Sequence, residues 1–259
     1  MRQISSRDNP AFKAWKRLSQ SSRERRQAGQ TLLEGMHLLT AWQARHGLPV
    51  QVLVGEAARQ RPEIAAWLAA HPDAPVTRLP DAMLAELADT ETPAGILALV
   101  QLPAPGAPPA PDQDAVLLDG IQDPGNLGTL LRSAAAAGFT QVLLAPDCVS
   151  PWSPKVLRAG QGAHFVLDIH EHQDLAAFLM DYRGSSLATA LDGAVCLYQA
   201  RWQGPVAWVF GSEGQGVRPN VLARARQRVV IPMPGPVESL NVGAAAAICL
   251  FETVRRRLA

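Results

Sequence analysis

Cysteine, aromatic side chains and charge are all scarce in this chain. Its 259 residues include 3 cysteines, and Phe, Trp and Tyr together make up 5%. Cys148, Cys196 and Cys249 lie far apart with no C-x-x-C pair, which argues against a disulfide framework or a structural zinc site and fits reduced thiols in a reducing cytoplasm. Charged residues reach 18% and apolar ones 47%, the balance of a folded protein. No apolar run is long: Val242–Phe251 is about half of what a membrane-spanning helix needs. No apolar stretch follows the first basic residues, so no secretory signal is expected. The chain also lacks G-x-G-x-x-G and Walker A motifs, which removes support for a dinucleotide or nucleoside-triphosphate site.

Net charge is +1, unevenly spread. The first thirty residues hold eight cations (Arg2, Arg7, Lys13, Lys16, Arg17, Arg23, Arg25 and Arg26) against Asp8 and Glu24, a surplus of +6 that leaves −5 for the rest. Such a cluster suits a polyanion such as RNA, but it also fits a solvated basic helix face or an organelle transit segment. His164, His170 and His172 lie near Asp168, Glu171 and Asp174 without metal-ligand spacing, so a polar loop or strand end is expected and no metal. Trp42, Trp67, Trp152, Trp202 and Trp208 are able to stack on bases, but cores or a subunit interface are the expected places.

The proline-rich stretch 103–112 reads as a semi-rigid linker, since five prolines bar a helix or central strand. Before it, helices are expected at 10–27, 36–46, 62–70 and 81–88, and strands at 31–33, 50–54 and 96–102. After it, apolar strands at 115–118, 141–144, 186–189, 206–210 and 229–231 separated by helical segments predict a parallel sheet covered on both faces. A last helix runs from about Asn241 to Leu258. The fold class is α/β: a small α/β domain over 1–102, then an α/β parallel-sheet domain over 113–259.

Three segments sit at the C-terminal ends of predicted strands, where open α/β sheets bind ligands. In the first, Leu118–Arg132, Pro124-Gly125 makes a turn, Asn126 is the expected N-cap, and Arg132 follows six residues later. The second, Phe210-Gly-Ser-Glu-Gly-Gln-Gly-Val217, is a glycine-rich turn around Glu213 that permits close backbone approach to a ligand. In the third, Ile231–Asn241, prolines stiffen a strand-to-helix loop that brings Ser239 and Asn241 to a helix N-terminus. Taken singly, each has an ordinary structural reading: a solvated arginine, a tight turn, a helix cap.

Together, N-x(5)-R, G-S-E-G and a proline-led strand followed by S-L-N resemble the three motifs of the TrmH/SpoU RNA 2′-O-methyltransferases of the SPOUT superfamily, from about Ala115 to the C-terminus. The segment before the linker resembles that family's substrate-binding domain, best at Leu32-Leu-Glu-Gly35 and Glu91-Thr-Pro-Ala-Gly95. The resemblance implies S-adenosylmethionine as cofactor, a ribose 2′-hydroxyl of RNA as acceptor, a trefoil knot and a homodimer in the cytoplasm. It implies that Thr189, Gly211, Ile231 and Leu240 hold the cofactor, and that Asn126, Arg132, Glu213, Ser239 and Asn241 face the RNA. The extra N-terminal domain favours ribosomal RNA of the 23S type over transfer RNA. An RNA-binding or ribosome-assembly module without catalysis, and a nucleotide-dependent oxidoreductase, are the competing readings; S-adenosylmethionine or nicotinamide binding separates them.

Overall fold

The computed structural model describes residues 2–104, 106–212 and 214–259. Its elements run, in chain order, β1 (Arg2–Gln3), α1 (Pro10–Gln20), α2 (Ser22–Ala28), β2 (Gln30–Glu34), α3 (Met36–His46), β3 (Gln51–Gly55), α4 (Pro62–Ala70), β4 (Val76–Leu79), α5 (Asp81–Ala85) and β5 (Ile96–Gln101). There follow β6 (Ala115–Asp119), α6 (Pro124–Ala136), β7 (Gln141–Leu144), α7 (Pro154–Gly160), β8 (Asp168–His170), α8 (Leu175–Asp181), β9 (Ser185–Thr189), β10 (Val195–Cys196), β11 (Val206–Gly211), α9 (Pro219–Leu222), β12 (Gln227–Val230) and α10 (Val242–Leu258). They form two compact units: Met1–Ala104 with Pro151–Phe165, and Pro105–Ser150 with Val166–Ala259. Residues 151–165, expected with the second domain, thus pack in the first unit.

The first unit is built on a five-stranded sheet ordered β1-β4-β3-β5-β2, parallel through β3 and antiparallel at β5 and β2. Alternation along the strands divides its apolar side chains between two faces. Leu32, Leu53, Leu97 and Leu99 pack with Phe12, Trp15 and Leu18 of α1. Leu33, Val52, Val54 and Ile96 pack with Trp42 of α3, Trp67 of α4 and Leu157 of α7. The single helix expected over 10–27 is two helices. Ser21 closes α1 and caps α2, its hydroxyl accepting from Glu24 N at 3.3 Å, which is half of a capping box that the sequence Ser21-x-x-Glu24 spells out.

The basic start of the chain is less cationic than its count. Arg7 and Lys16 pair with Glu86 at 2.6 and 2.7 Å, Lys13 with Asp8 and Arg17 with Glu24. Arg25 is buried and donates to Leu18 O at 2.7 Å. His164 is buried too, bonded through Nε2 to Pro151 O at 2.9 Å, and desolvation pushes its pKa down to about 4. Among the described residues no group of three or more His, Cys, Asp or Glu is placed to hold a metal ion. No described helix is long and apolar enough to cross a membrane.

The second unit carries a seven-stranded sheet ordered β10-β12-β9-β11-β6-β7-β8, every pairing parallel. The apolar strands that predicted a sheet covered on both faces lie at its centre. Ala115, Leu117, Ala207 and Val209 face Leu175 and Leu179 of α8 and Val221 of α9. On the other side, Trp208 donates its indole N–H to Thr253 of α10 at 3.0 Å. The end of the linker stretch is tied to this unit: Ala110 exchanges two hydrogen bonds with the Gln141 side chain at 2.6 and 3.1 Å. Trp202 lies half-buried under Arg256, 3.8 Å from ring centroid to guanidinium carbon, while Trp42, Trp67 and Trp208 are buried, so packing rather than base stacking occupies them.

Candidate active site

Parallel strands deliver their loops to one edge, and here four strand ends converge. Asp119 at the end of β6 is in register with Gly211 at the end of β11, and Thr189 of β9 with Val229 of β12. The loops that leave these ends surround a cavity of about 530 Å³ lined by Thr189, Gly211, Ile231, Ser239 and Leu240, among others. All four residues that the motif resemblance gave to the cofactor therefore border one space. Leu191, Val217, Leu222 and Val229 add apolar wall, and Asp192, Arg228 and Glu238 add charge. Ligand pockets typically fall between roughly 300 and 1,000 Å³ with this mixture of apolar wall and a few polar groups. The Thr189 hydroxyl is already engaged, donating to Val209 O at 3.3 Å, so Thr189 offers the cavity its backbone and methyl group.

Gly211 is required by a close approach. A Cβ on it would lie 2.0 Å from the carbonyl carbon of Gly216 and 2.2 Å from Val217 N. The turn closes on itself there: Gly216 N donates to Ser212 O at 2.8 Å. Glu213, within this turn, lies outside the described residues.

Asn126 and Asn241, 115 positions apart, meet directly: Asn241 Nδ2 donates to Asn126 Oδ1 at 2.8 Å. Asn241 Oδ1 accepts from Gly243 N and Ala244 N at 3.0 and 3.3 Å, the N-cap of α10 that the sequence suggested. Asn126 is not the cap of α6 as expected. Asp123 takes that place, accepting from Asn126 N at 2.8 Å with Pro124 at the first helical position. Proline's fixed φ and missing N–H suit that position, which sets the helix start three residues earlier. The Asn126 side chain is thereby turned to its partner on α10.

Arg132 lies six residues further along α6, about 9 Å of rise. It is exposed, and no hydrogen bond or ion pair joins it to another described residue, so its guanidinium is available to an incoming anion. Ser239 is also exposed at the cavity rim. Cys148 donates to Leu118 O at 3.2 Å, and burial pushes its thiol up to about 11, which leaves it protonated and unfit as a nucleophile near neutral pH.

One pair was not anticipated. The Asp119 carboxylate, with no exposed surface, accepts from Arg218 N and Nε at 2.7 Å each, and Arg218 Nη2 lies 2.5 Å from it. The legible signal was an acidic residue ending an otherwise apolar strand, a position that burial tolerates only with a cation beside it. A second, polar cavity of about 290 Å³, bordered by Gln122, Asp147, Gln215 and Arg218, lies beside this pair.

Comparison with known proteins agrees with this geometry. Residues 114–251 match the SpoU rRNA Methylase family, and residues 9–98 match the MRM3-like substrate binding domain. A tRNA/rRNA methyltransferase of Synechocystis sp. that carries no experimental characterisation in its name is 36% identical over 261 residues, covering 99% of this chain and 94% of that protein. The Bacillus subtilis 23S rRNA (guanosine(2553)-2′-O)-methyltransferase RlmP is 30% identical, covering 97% and 98%. The crystal structure of the SpoU methyltransferase AviRb from Streptomyces viridochromogenes in complex with AdoMet superposes with a TM-score of 0.84 at 27% identity, covering 97% of this chain and 99% of that one. With strand ends, cavity and family match in agreement over the same residues, this chain belongs to the SpoU rRNA methylase family.

Proposed function

We propose that this protein transfers the methyl group of S-adenosylmethionine to a ribose 2′-hydroxyl of RNA, and that the RNA is ribosomal, of the 23S type. The observation that carries the reading is the cavity at the ends of β9, β11 and β12, bordered by Thr189, Gly211, Ile231 and Leu240, with the Asn126–Asn241 bond tying two of the motif segments together. A relative named for 23S ribose methylation that matches over 97% of the chain supports the choice of RNA.

The cavity's chemistry fits the cofactor. Apolar side chains suit an adenine ring, and the close backbone of the 211–217 and 231–240 loops suits its hydrogen-bonding edge. When bound, S-adenosylmethionine supplies an activated methyl on sulfonium. The protein's part is alignment of the hydroxyl with that methyl, worth roughly 7–11 kcal/mol in favourable cases. Arg132 is assigned the phosphate and the developing alkoxide, because a guanidinium keeps its proton in a protein. Glu213 is assigned the hydroxyl proton, because it stands in the G-S-E-G motif and a carboxylate is an ordinary general base. Asn126, Ser239 and Asn241 orient the ribose. The first domain, 1–102, holds the RNA, 103–112 links it to the catalytic domain 113–259, and the active protein is a knotted, cytoplasmic homodimer.

The test is methyl transfer from labelled S-adenosylmethionine to total RNA from cells lacking the gene, with Arg132→Ala in parallel and ribose-methylation mapping afterwards. Label on one ribose, lost in Arg132→Ala while cofactor affinity stays within twofold, is expected. A wild-type protein that binds no S-adenosylmethionine overturns the reading.

A further inference from the structure

We infer that Asp119 and Arg218 are positioning residues: together they brace the glycine-rich turn that forms one wall of the cofactor cavity. The turn leaves β11 at Gly211 and ends at Val217, immediately before Arg218. Asp119 is level with Gly211 on the neighbouring strand, so it stands beside the entry to the turn. It also binds the exit, through the backbone N–H of Arg218 at 2.7 Å and its guanidinium Nε at 2.7 Å. One fully buried carboxylate therefore fixes the separation of the turn's two ends.

Among the described residues, Val217 anchors the exit of the turn by burial in the apolar cluster of this unit, and the rest of the turn has few other contacts. Between its ends, Ser212 and Gly216 form the bridge, and the Ser212 hydroxyl accepts from Gln215 N at 3.3 Å. Gly214, Gln215 and Gly216 are exposed and contribute no apolar burial. The same residues border the cofactor cavity on one side and the small polar cavity on the other. Ordering the turn in advance removes that entropic cost from cofactor binding. Arg218 is suited to this work because its planar fork and its own backbone N–H reach the two oxygens of one carboxylate together. Its second carboxylate neighbour, Asp147, is 3.8 Å away and adds only a weaker attraction.

The inference goes beyond the proposed chemistry and rests on cofactor binding only for one of its two readouts. Arg218→Ala, Arg218→Lys, Asp119→Asn and the double variant Asp119→Asn/Arg218→Ala are compared with wild type. Hydrogen exchange of the 212–217 amides in cofactor-free protein reads the brace directly, and calorimetric titration reads the dissociation constant for S-adenosylmethionine. Arg218→Ala is expected to speed exchange in 212–217 at least tenfold, with β9 and α10 unchanged, and to weaken cofactor binding tenfold or more. Arg218→Lys, which keeps the charge and backbone bond, should fall between, and the double variant should lose no more than the worse single one. If Asp119→Asn fails to fold, the two half-exposed Arg218 variants carry the test alone. Unchanged exchange in Arg218→Ala, or losses that add in the double variant, overturn the brace. If wild type binds no cofactor, the proposed function fails while the exchange measurement still decides this inference.

Discussion

Gly211→Ala is the sharpest test of how the cavity is built. The added methyl would sit 2.0 Å from the Gly216 carbonyl carbon, 2.2 Å from its oxygen and 2.2 Å from Val217 N. Ordinary van der Waals contact begins more than 1 Å further out, at about 3.4 Å. All three atoms are backbone, so no side-chain rotation relieves the overlap. β11 is held between β9 and β6, which leaves the turn as the part that yields. Overpacking of this kind costs about 1–3 kcal/mol, and a backbone clash belongs in the upper half of that range. If the cost falls on the binding-competent turn, S-adenosylmethionine affinity drops roughly 30- to 150-fold. Calorimetric titration measures it, with far-UV dichroism to confirm the fold. Gly106→Ala is the control, since Gly106 is off the cavity lining and its methyl would meet nothing within 4 Å, and it should bind within about twofold of wild type. A Gly211→Ala protein that binds within twofold of wild type, or a Gly106→Ala protein that loses as much, refutes the reasoning.

Other perturbations follow from the same contacts. His164 has a folded pKa of about 4, below the unfolded value near 6.5, so both states are neutral above pH 6.5; below it the unfolded chain binds a proton first, and stability falls until about pH 4. The difference is at most ~3 kcal/mol, and denaturant titration of His164→Phe between pH 4 and 7 should show a flatter pH slope than wild type. Asn241→Ala removes both caps from α10 and the bond to Asn126, and should cost about 1 kcal/mol in thermal melts, with Asn241→Ser recovering most of the capping part. Gly243→Ala would bring a methyl 2.8 Å from Thr129 Cγ2, so it should destabilise the α6–α10 contact, and Thr129→Ser in the same chain should recover part of the loss, because it removes that atom and keeps the hydroxyl bonded to Gly125 O while Asn241 Oδ1 at 3.1 Å and Thr129 Cβ at 3.3 Å stay close.

The second unit was legible because its strands are continuous apolar runs: β7 coincides with the expected 141–144, and the other four differ by one to three residues in their ends. The elements missed there carry too little local signal. β10 is two residues and β8 three, and both are strands only because a neighbour supplies their hydrogen bonds. The role of Pro151–Phe165 escaped for a related reason. α7 is short, with buried Val156 and Leu157, and nothing in that pattern says which core receives it. The motif residues could be grouped by wording, but the Asn126–Asn241 bond spans 115 positions and the Asp119–Arg218 pair spans 99, distances over which no periodicity operates.

The excursion of Pro151–Phe165 bears on how the protein is cut apart. Leu157 and Phe165 lie in the same apolar cluster as Leu39, Trp42 and Trp67, far upstream of the proline-rich stretch. Severing the chain at 103–112 would therefore give two fragments with reciprocal defects. The upstream piece would lack part of its own filling, and the downstream piece would carry those apolar side chains with nothing to cover them, a recipe for aggregation. Covalent continuity and physical autonomy do not coincide here, and a fragment that behaves well will have to respect the contact boundary rather than the proline boundary.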